Sequence, residues 1–110
     1  MRLHESPFLG IKKGKQIIEV RLNDNKRKCV RIGDTIVFSL RSNMDEKIKV
    51  KVLDLLKYDS FEELFENISL SDWNAAGWSM EQVVAACRKY YSKEDEELFG
   101  VLGIGIELID

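Results

Sequence analysis

The sequence predicts a mixed α+β fold, in which about five or six short strands form a small closed or half-closed β-barrel with flanking helices. Short segments with alternating apolar and polar positions, rich in Val and Ile, dominate residues 16–52. Residues 60–99 instead carry apolar residues at helical spacing behind serine-led start signals. A last strand is predicted at Val101–Ile109, so the chain returns to the barrel after its helices.

A short helix opens the fold. Ser6 is placed to cap this helix, and Pro7 suits its first position because proline needs no intrahelical N–H partner there. Phe8 and Ile11 lie one turn apart and are expected to face inward. Gly14 is expected to end the helix.

Several strand and turn signals follow. The predicted segments are a strand at Gln16–Leu22, a short strand at Cys29–Ile32, a tight turn at Gly33-Asp34, a strand at Thr35–Leu40, a polar connection at Arg41–Glu46 and a strand at Lys47–Val52. In the last of these, strict alternation buries Ile48, Val50 and Val52 and turns three lysines to water. The lysine row has two interpretations: contacts to phosphates, or protection of a solvated edge strand.

The second half carries three helix starts, at Ser60, Ser79 and Ser92. The first two begin capping boxes, completed by Glu63 and Gln82. The stripe behind Ser60 is predicted to be core and not a base-stacking platform; it comprises Phe61, Leu64, Phe65 and Ile68. In the final strand, Gly103 and Gly105 share one face, where a neighbour or a ligand can approach closely.

Composition indicates one globular domain spanning residues 1–110, with 45% hydrophobic and 33% charged residues. No apolar run approaches the roughly 20 residues that cross a bilayer, and the N-terminus lacks the apolar stretch of a secretory signal. We therefore expect a cytoplasmic protein. Cys29 and Cys87 match no CxxC pair and His4 is the single histidine, so we expect reduced thiols, no metal and no cofactor.

Charge is distributed unevenly along the chain. Residues 1–58 hold 14 Lys and Arg against 7 Asp and Glu, whereas residues 59–110 hold 3 against 12. A cationic face for an anionic partner is one interpretation, and mutual complementation of the two halves across the fold is the other.

Three strings of residues, in order, resemble the ASCH domain family. They are Pro7-Phe8 to Leu22, including Gly14-Lys15 and Glu19-Val20-Arg21-Leu22; Gly33-Asp34-Thr35-Ile36-Val37-Phe38; and the helix start Ser60-Phe61-Glu62-Glu63-Leu64. The ending from Tyr90-Tyr91-Ser92-Lys93 to Phe99-Gly100-Val101-Leu102 resembles one bacterial branch of that family. The resemblance implies a PUA-like barrel with a cleft beside its first helix, and a role in binding RNA.

The resemblance also implies an enzymatic alternative. A small-barrel branch of the superfamily hydrolyses N4-acetylcytidine with a lysine and a threonine from the segment after the first helix and a later glutamate. Alignment on Arg21 puts Gln16 at the lysine position and Glu19 at the threonine position, with Asp72 in the region of the glutamate.

Lys15, Glu19 and Arg21 are the main candidates for a ligand site. Glu19 and Arg21 share one strand face, about 7 Å apart along the chain. Arg21 can grip a phosphate or carboxylate bidentately, and Lys15 adds a mobile charge. Glu19 can accept from the exocyclic amine of a base or act as a general base. The structural alternative is an ion pair that closes one end of the barrel.

Further candidates lie near the same cleft. His4 precedes the first helix, and Arg41 and Ser42 follow a strand end at the expected barrel rim. One aromatic residue of the helical half could stack on a base, although packing in the core or a lid is an alternative for each; these are Trp73, Trp78, Tyr90 and Tyr91. Ser71–Gly77 is the best lid candidate.

Three functions are consistent with these observations. The first is a module that binds RNA or a nucleotide-like ligand through Lys15, Glu19, Arg21, Arg41, Ser42 and His4. The second is a small amidohydrolase acting on N4-acetylcytidine-type nucleosides, with Lys15 and Glu19 as catalytic groups. The third is an accessory protein that binds a protein partner through its acidic helical half, around Glu94–Glu97.

Overall fold

The computed structural model describes residues 1–109 and contains a five-stranded, curled sheet with helices beside it. The strands are β1 (Arg2–Leu3), β2 (Ile18–Leu22), β3 (Thr35–Leu40), β4 (Asn43–Tyr58) and β5 (Val101–Leu108). The α-helices are α1 (Glu5–Lys12), α2 (Phe61–Glu66), α3 (Met80–Arg88) and α4 (Lys93–Phe99), with 3₁₀ turns at Arg27–Cys29 and Leu70–Asp72. No helix within residues 1–109 is long and apolar enough to cross a membrane.

The sheet has the strand order β1-β3-β4-β5-β2. β1 pairs with β3 in parallel, and the other neighbours pair antiparallel. A register shift between Val52 and Asp54 adds a residue to the long strand β4, and such a bulge bends a strand and increases its twist. The sheet therefore curls into a half-barrel, as the sequence predicts, with β1 and β2 at its two edges.

Two apolar clusters hold this half-barrel together. One includes Phe8 and Ile11 of α1 with Phe38, Val50 and Ile104 of the sheet. The other packs the helices against the opposite face; it includes Val20, Val101, Phe61, Leu64, Phe65, Val83 and Cys87. Burial of Phe8, Ile11, Phe61, Leu64 and Phe65 confirms their predicted positions in the core, and Ile68 packs against the second cluster while only partly buried.

In the second half of the chain, the helices begin after the serines predicted to cap them. In the first half, the observed helix start differs from the predicted one. Ser79 forms the full capping box with Gln82, whereas Ser60 and Ser92 only accept from a backbone N–H. Helix α1 begins earlier than predicted: the N-cap is His4, whose carbonyl accepts from the N–H of Phe8, so Ser6 is not the cap. Pro7 is still compatible with the helix, because it lies in the first turn, where backbone N–H groups have no intrahelical acceptor and a missing N–H costs nothing. Gly14, at φ 74°, follows the helix end as expected.

Two predictions, one for a strand and one for a connection, are wrong. Cys29–Ile32 is not a strand, because the Asp24 side chain accepts from the N–H of Arg27 and closes a 3₁₀ turn. The connection at Arg41–Glu46 shrinks to a turn at Arg41 and Ser42, since β4 already begins at Asn43. The lysine-bearing part of β4 pairs with β3 throughout but with β5 only from Val50 onward, so within residues 1–109 Lys47 lies on a stretch paired on one side and Lys51 on a stretch paired on both. Its lysines nevertheless face water as predicted.

Candidate functional site

A cavity of about 460 Å³ lies along the free edge of β2, between the two edges of the half-barrel. Residues of β1, the start of α1, the loop before α3 and the end of α3 complete its walls. We call it the seam cavity, and its principal lining residues are Arg2, His4, Gln16, Glu19, Arg21, Arg27, Arg41, Trp73, Asn74, Trp78, Cys87, Tyr90 and Tyr91. Its volume falls within the range of about 300–1,000 Å³ typical of small-molecule sites.

Glu19 and Arg21 form a partly buried ion pair in one wall of the seam cavity. The Oε2 atom of Glu19 lies 3.3 Å from Nε and 3.2 Å from Nη2 of Arg21. The same Nη2 donates to the backbone oxygen of Arg2 at 2.8 Å. Arg21 therefore ties the edge strand β2 to the opposite edge strand β1.

Burial dominates the electrostatics of this pair. The Glu19 side chain is 6% exposed and that of Arg21 is 14% exposed. Burial raises the pKa of Glu19, and the neighbouring guanidinium of Arg21 opposes that rise without cancelling it. Glu19 is thus a carboxyl group that takes up a proton more readily than an exposed glutamate.

Gln16 forms the next part of the same wall. It is 4% exposed, and its side-chain Nε2 donates to the backbone oxygen of Ile18 at 3.1 Å. Its backbone forms an isolated bridge with Trp73, while the N–H of Ile17 donates to the oxygen of Asp72. These contacts fasten the loop around Trp73 to the start of β2. The loop proposed as a lid, Ser71–Gly77, accordingly contributes a wall of the cavity.

Aromatic side chains surround the mouth of the seam cavity. The rings of His4 and Tyr90 lie 5.0 Å apart at an interplanar angle of 30°. Tyr90 is 61% exposed and Trp78 is 46% exposed, although both line the cavity. Trp73, in contrast, packs against Phe65, with ring centroids 4.9 Å apart. Trp78 and Tyr90 are therefore the rings whose faces a ligand can reach.

The structure brings together four of the six predicted ligand residues: His4, Glu19, Arg21 and Arg41 all line the seam cavity. Lys15 and Ser42 are exposed and lie outside its lining. Lys15 is turned away because it follows the Gly14 turn, and the buried position falls to the next residue, Gln16. Ser42 occupies the turn between β3 and β4, one residue beyond Arg41. Asp72 also lies outside the lining, and its backbone oxygen accepts from the N–H of Ile17.

Sequence reasoning missed two cations of the site, Arg2 and Arg27. Arg2 joins it because β1 pairs in parallel with the end of β3, which places Arg2 opposite Ser39 and near Arg41. A two-residue strand carries too little pattern to reveal such pairing. Arg27 belongs to the basic run Lys26-Arg27-Lys28, which is visible in the sequence, but the 3₁₀ turn that aims it inward depends on Asp24.

Cys87 lines the seam cavity, whereas Cys29 is exposed and lies outside the lining; both thiols are free. Burial raises the pKa of the Cys87 thiol to about 12, which keeps it protonated and unreactive near neutral pH. No group of three or more His, Cys, Asp or Glu side chains in residues 1–109 is arranged to hold a metal ion.

The four ion pairs of the described chain do not connect its basic and acidic halves. Lys12–Glu46, Arg21–Glu19 and Arg27–Asp24 lie within residues 1–58, and Arg88–Glu96 lies within residues 59–110. Direct pairing between the halves, one of the two interpretations of the charge asymmetry, is thus not seen within residues 1–109. Cations of the first half that form no ion pair within residues 1–109, such as Arg2, Lys26 and Arg41, remain available to an anionic partner.

A curled half-barrel with flanking helices and a cavity at its open side is consistent with the PUA-like fold. Residues 1–110 match the ASCH domain, and the chain belongs to the ASCH domain family. This is a family commonly thought to bind RNA. No curated protein matches the chain.

Two solved structures are similar over nearly the whole chain. The crystal structure of the hypothetical protein PH0355 is 35% identical, with a TM-score of 0.86, and the match covers 99% of this chain and 96% of that one. The solution NMR structure of protein PF0455 from Pyrococcus furiosus is 32% identical, with a TM-score of 0.73 and coverage of 100% and 99%.

Proposed function

We propose that this protein binds RNA or a nucleotide, and that one nucleobase occupies the seam cavity. The observation that carries this proposal is the composition of the cavity: exposed aromatic rings at its mouth, buried polar groups in its wall and arginines at one end. Membership of a family commonly thought to bind RNA supports the same conclusion.

The polar groups of the wall suit the edge of a base. Glu19 presents a carboxyl group and Gln16 an amide, and both are buried beside apolar walls. A few polar groups in a largely apolar cavity fix the orientation of a ligand and confer specificity. Asn74, which also lines the cavity near Gln16, adds a second amide group. Together they offer both donors and acceptors to the exocyclic amine and ring nitrogens of a base.

The aromatic mouth suits the faces of a base. Stacking of a base on an aromatic side chain contributes about 1–3 kcal/mol in single-stranded nucleic-acid complexes. We therefore expect Trp78→Ala to weaken binding of a short single-stranded RNA about 5-fold to 100-fold. Fluorescence anisotropy of the labelled RNA measures the dissociation constant, and circular dichroism verifies the fold. Because Trp78 is half-exposed, its removal leaves both apolar clusters intact.

Two control variants separate the cavity from the surface in general. Leu98→Ala removes a large apolar side chain that is 72% exposed and lies outside the cavity lining. Lys15→Ala removes a charge beside the cavity without altering its lining. Both are expected to bind RNA within about 2-fold of the original chain, apart from the small screening effect of one charge. Equal losses in Trp78→Ala and Leu98→Ala would contradict a base in the seam cavity.

Hydrolysis of an acylated nucleoside is the second candidate, and one observation favours it: Glu19 is buried in the cavity wall with a raised pKa, as a general base requires. In that reaction Glu19 takes a proton from water as the water oxygen adds to the acetyl carbonyl. Glu19 then returns this proton to the N4 nitrogen as the C–N bond breaks, so that cytidine leaves and acetic acid is formed, which ionises to acetate. Release of acetate from N4-acetylcytidine, abolished by Glu19→Gln, is the expected result. A purified protein without this activity would remove the candidate and leave the binding proposal standing.

A further inference from the structure

A second recess, of about 350 Å³, adjoins the seam cavity and is lined mainly by cations. Five of its eight lining residues are basic: Arg2, Arg21, Lys26, Arg27 and Arg41. No carboxylate of the described chain lines it. We call it the arginine recess. It shares four arginines with the seam cavity, so the two hollows meet along that shared wall.

Three of these charges are uncompensated. Arg21 is paired with Glu19, and Arg27 is paired with Asp24 at 3.4 Å. Arg2, Lys26 and Arg41 form no ion pair within residues 1–109 and are exposed. Like charges gathered from three separate parts of the chain repel one another, and an anion in the recess removes that repulsion.

Arg27 carries a second sign of a missing partner. Its Nε atom is buried, yet it has no hydrogen-bond partner in the described chain. A buried donor without a partner is costly unless something else accepts from it. Arg27 lines both hollows, so it lies in the wall that they share.

We propose that the arginine recess is a phosphate subsite, and that the ligand of the seam cavity is a phosphorylated nucleoside whose phosphate lies in the recess. This proposal rests on the proposed function for the position of the base. It goes further in naming the ligand class, since a free nucleoside fills only one of the two hollows. A mononucleotide and an RNA strand both supply the required phosphate.

The decisive variant is the double substitution Lys26→Gln/Arg41→Gln, which removes two exposed charges of the recess. Its matched control is Lys47→Gln/Lys49→Gln, which removes two exposed charges from the outer face of β4. Neither pair contributes to an apolar cluster. Calorimetric titrations at low salt compare adenosine with AMP, uridine with UMP, and a short single-stranded RNA, with inorganic phosphate as the probe of the recess alone.

We expect the nucleotides to bind at least about 10-fold more tightly than their nucleosides, as a charge-assisted phosphate contact implies. In Lys26→Gln/Arg41→Gln this advantage shrinks to about 2-fold. Lys26→Gln alone, at the residue that lines only the recess, loses part of the advantage and keeps the nucleoside affinity of the original chain. A plot of the logarithm of RNA affinity against the logarithm of salt concentration has a slope whose magnitude should fall by about 1.4 in Lys26→Gln/Arg41→Gln. The reason is that each lost phosphate contact contributes about 0.7 to the slope and two contacts are lost. The Lys47→Gln/Lys49→Gln control keeps the advantage. If Lys26→Gln/Arg41→Gln weakens the binding of both AMP and RNA, the recess recognises a phosphate group from either ligand. If it weakens the binding of RNA alone, the phosphate in the recess belongs to an RNA strand.

The possible failures are distinguishable. Equal affinity for nucleoside and nucleotide would overturn the phosphate subsite and leave the base in the seam cavity. Phosphate binding that depends on Lys26 and Arg41, without any nucleoside binding, would keep the subsite and overturn the base assignment. The nucleotide advantage could also fall as much in Lys47→Gln/Lys49→Gln as in Lys26→Gln/Arg41→Gln. That result would show that the overall positive charge of the protein, and not the arginine recess, attracts the phosphate, and it would overturn the phosphate subsite.

Discussion

At the scale of single residues, Glu19 combines a structural and a chemical property. Its carboxylate is held by Arg21 and by the N–H of Val20, at 3.2 Å. Three contacts of this kind normally lower the pKa of an acid, but near-complete burial outweighs them and raises the pKa of Glu19. The pair is therefore costly to break from either side, because the remaining partner keeps a buried charge.

The raised pKa predicts how stability depends on pH. Above the ordinary glutamate pKa of 4.5, the folded chain keeps a proton on Glu19 that the unfolded chain has released. The contribution of Glu19 to the free energy of unfolding is thus fully present below that value and is lost as pH rises through the raised pKa of the folded state. Urea titrations at a series of pH values are expected to show this loss in the original chain and not in Glu19→Gln.

The control for this measurement is Glu107→Gln, which removes an exposed carboxylate from the neighbouring strand β5. It is expected to keep the pH profile of the original chain. If Glu19→Gln and Glu107→Gln gave the same profile as the original chain, the burial of Glu19 would not control its protonation.

At the scale of elements, β5 separates the two apolar clusters, and its two glycines allow close neighbours, one in a helix and one in a strand. A Cβ atom added at Gly103 would lie 3.1 Å from Cδ1 of Leu64, in α2. At Gly105 it would lie 3.1 Å from Cβ of Asp54, beside the bulge of β4. Of the two alternatives predicted for this face, a close neighbour or a ligand, the structure shows close neighbours.

Gly103→Ala is expected to destabilise the fold by about 1–3 kcal/mol, because overpacking forces α2 away from the sheet. The measurement is the free energy of unfolding in urea. A double-mutant cycle with Leu64→Ala isolates the contact, since removal of the Leu64 side chain should abolish most of the Gly103→Ala penalty. An unchanged penalty in the Leu64→Ala background would show that the strain arises elsewhere.

Elements whose signals are local could be predicted from the sequence. The caps at Ser60, Ser79 and Ser92 locate α2, α3 and α4, because each cap depends only on residues within one turn. β1 could not be predicted, since two residues become a strand only through their partner β3. The site divides in the same way: Glu19 and Arg21 follow from one strand, whereas their meeting with Arg2, Arg27 and the aromatic mouth depends on contacts distant in sequence.

At the scale of the whole molecule, the two apolar clusters share the sheet, and we propose that residues 1–110 form one cooperative domain. Leu102 and Ile104 of β5 belong to the first cluster and Val101 to the second, so neither cluster persists without that strand. Small domains with a shared core usually unfold in a single transition.

Cys87 reports on this cooperativity, because it is buried in the second cluster with a pKa of about 12. In the folded protein we expect a thiol reagent to modify Cys29 rapidly and Cys87 only after unfolding. In Cys29→Ser, labelling of Cys87 as a function of urea should share its midpoint with far-UV circular dichroism. Labelling of Cys87 at lower urea would show that the helices detach before the barrel unfolds, and would contradict a single cooperative domain.

The bond from Arg21 to the backbone of Arg2 has an evolutionary consequence. One guanidinium both joins the sheet edges and lines the ligand hollow, so natural variation at this position is constrained twice over. The rings of Trp78 and Tyr90 line the hollow but do not join the sheet edges. We therefore expect relatives with different ligand preferences to differ at the positions of Trp78 and Tyr90 and to keep an arginine at the position of Arg21.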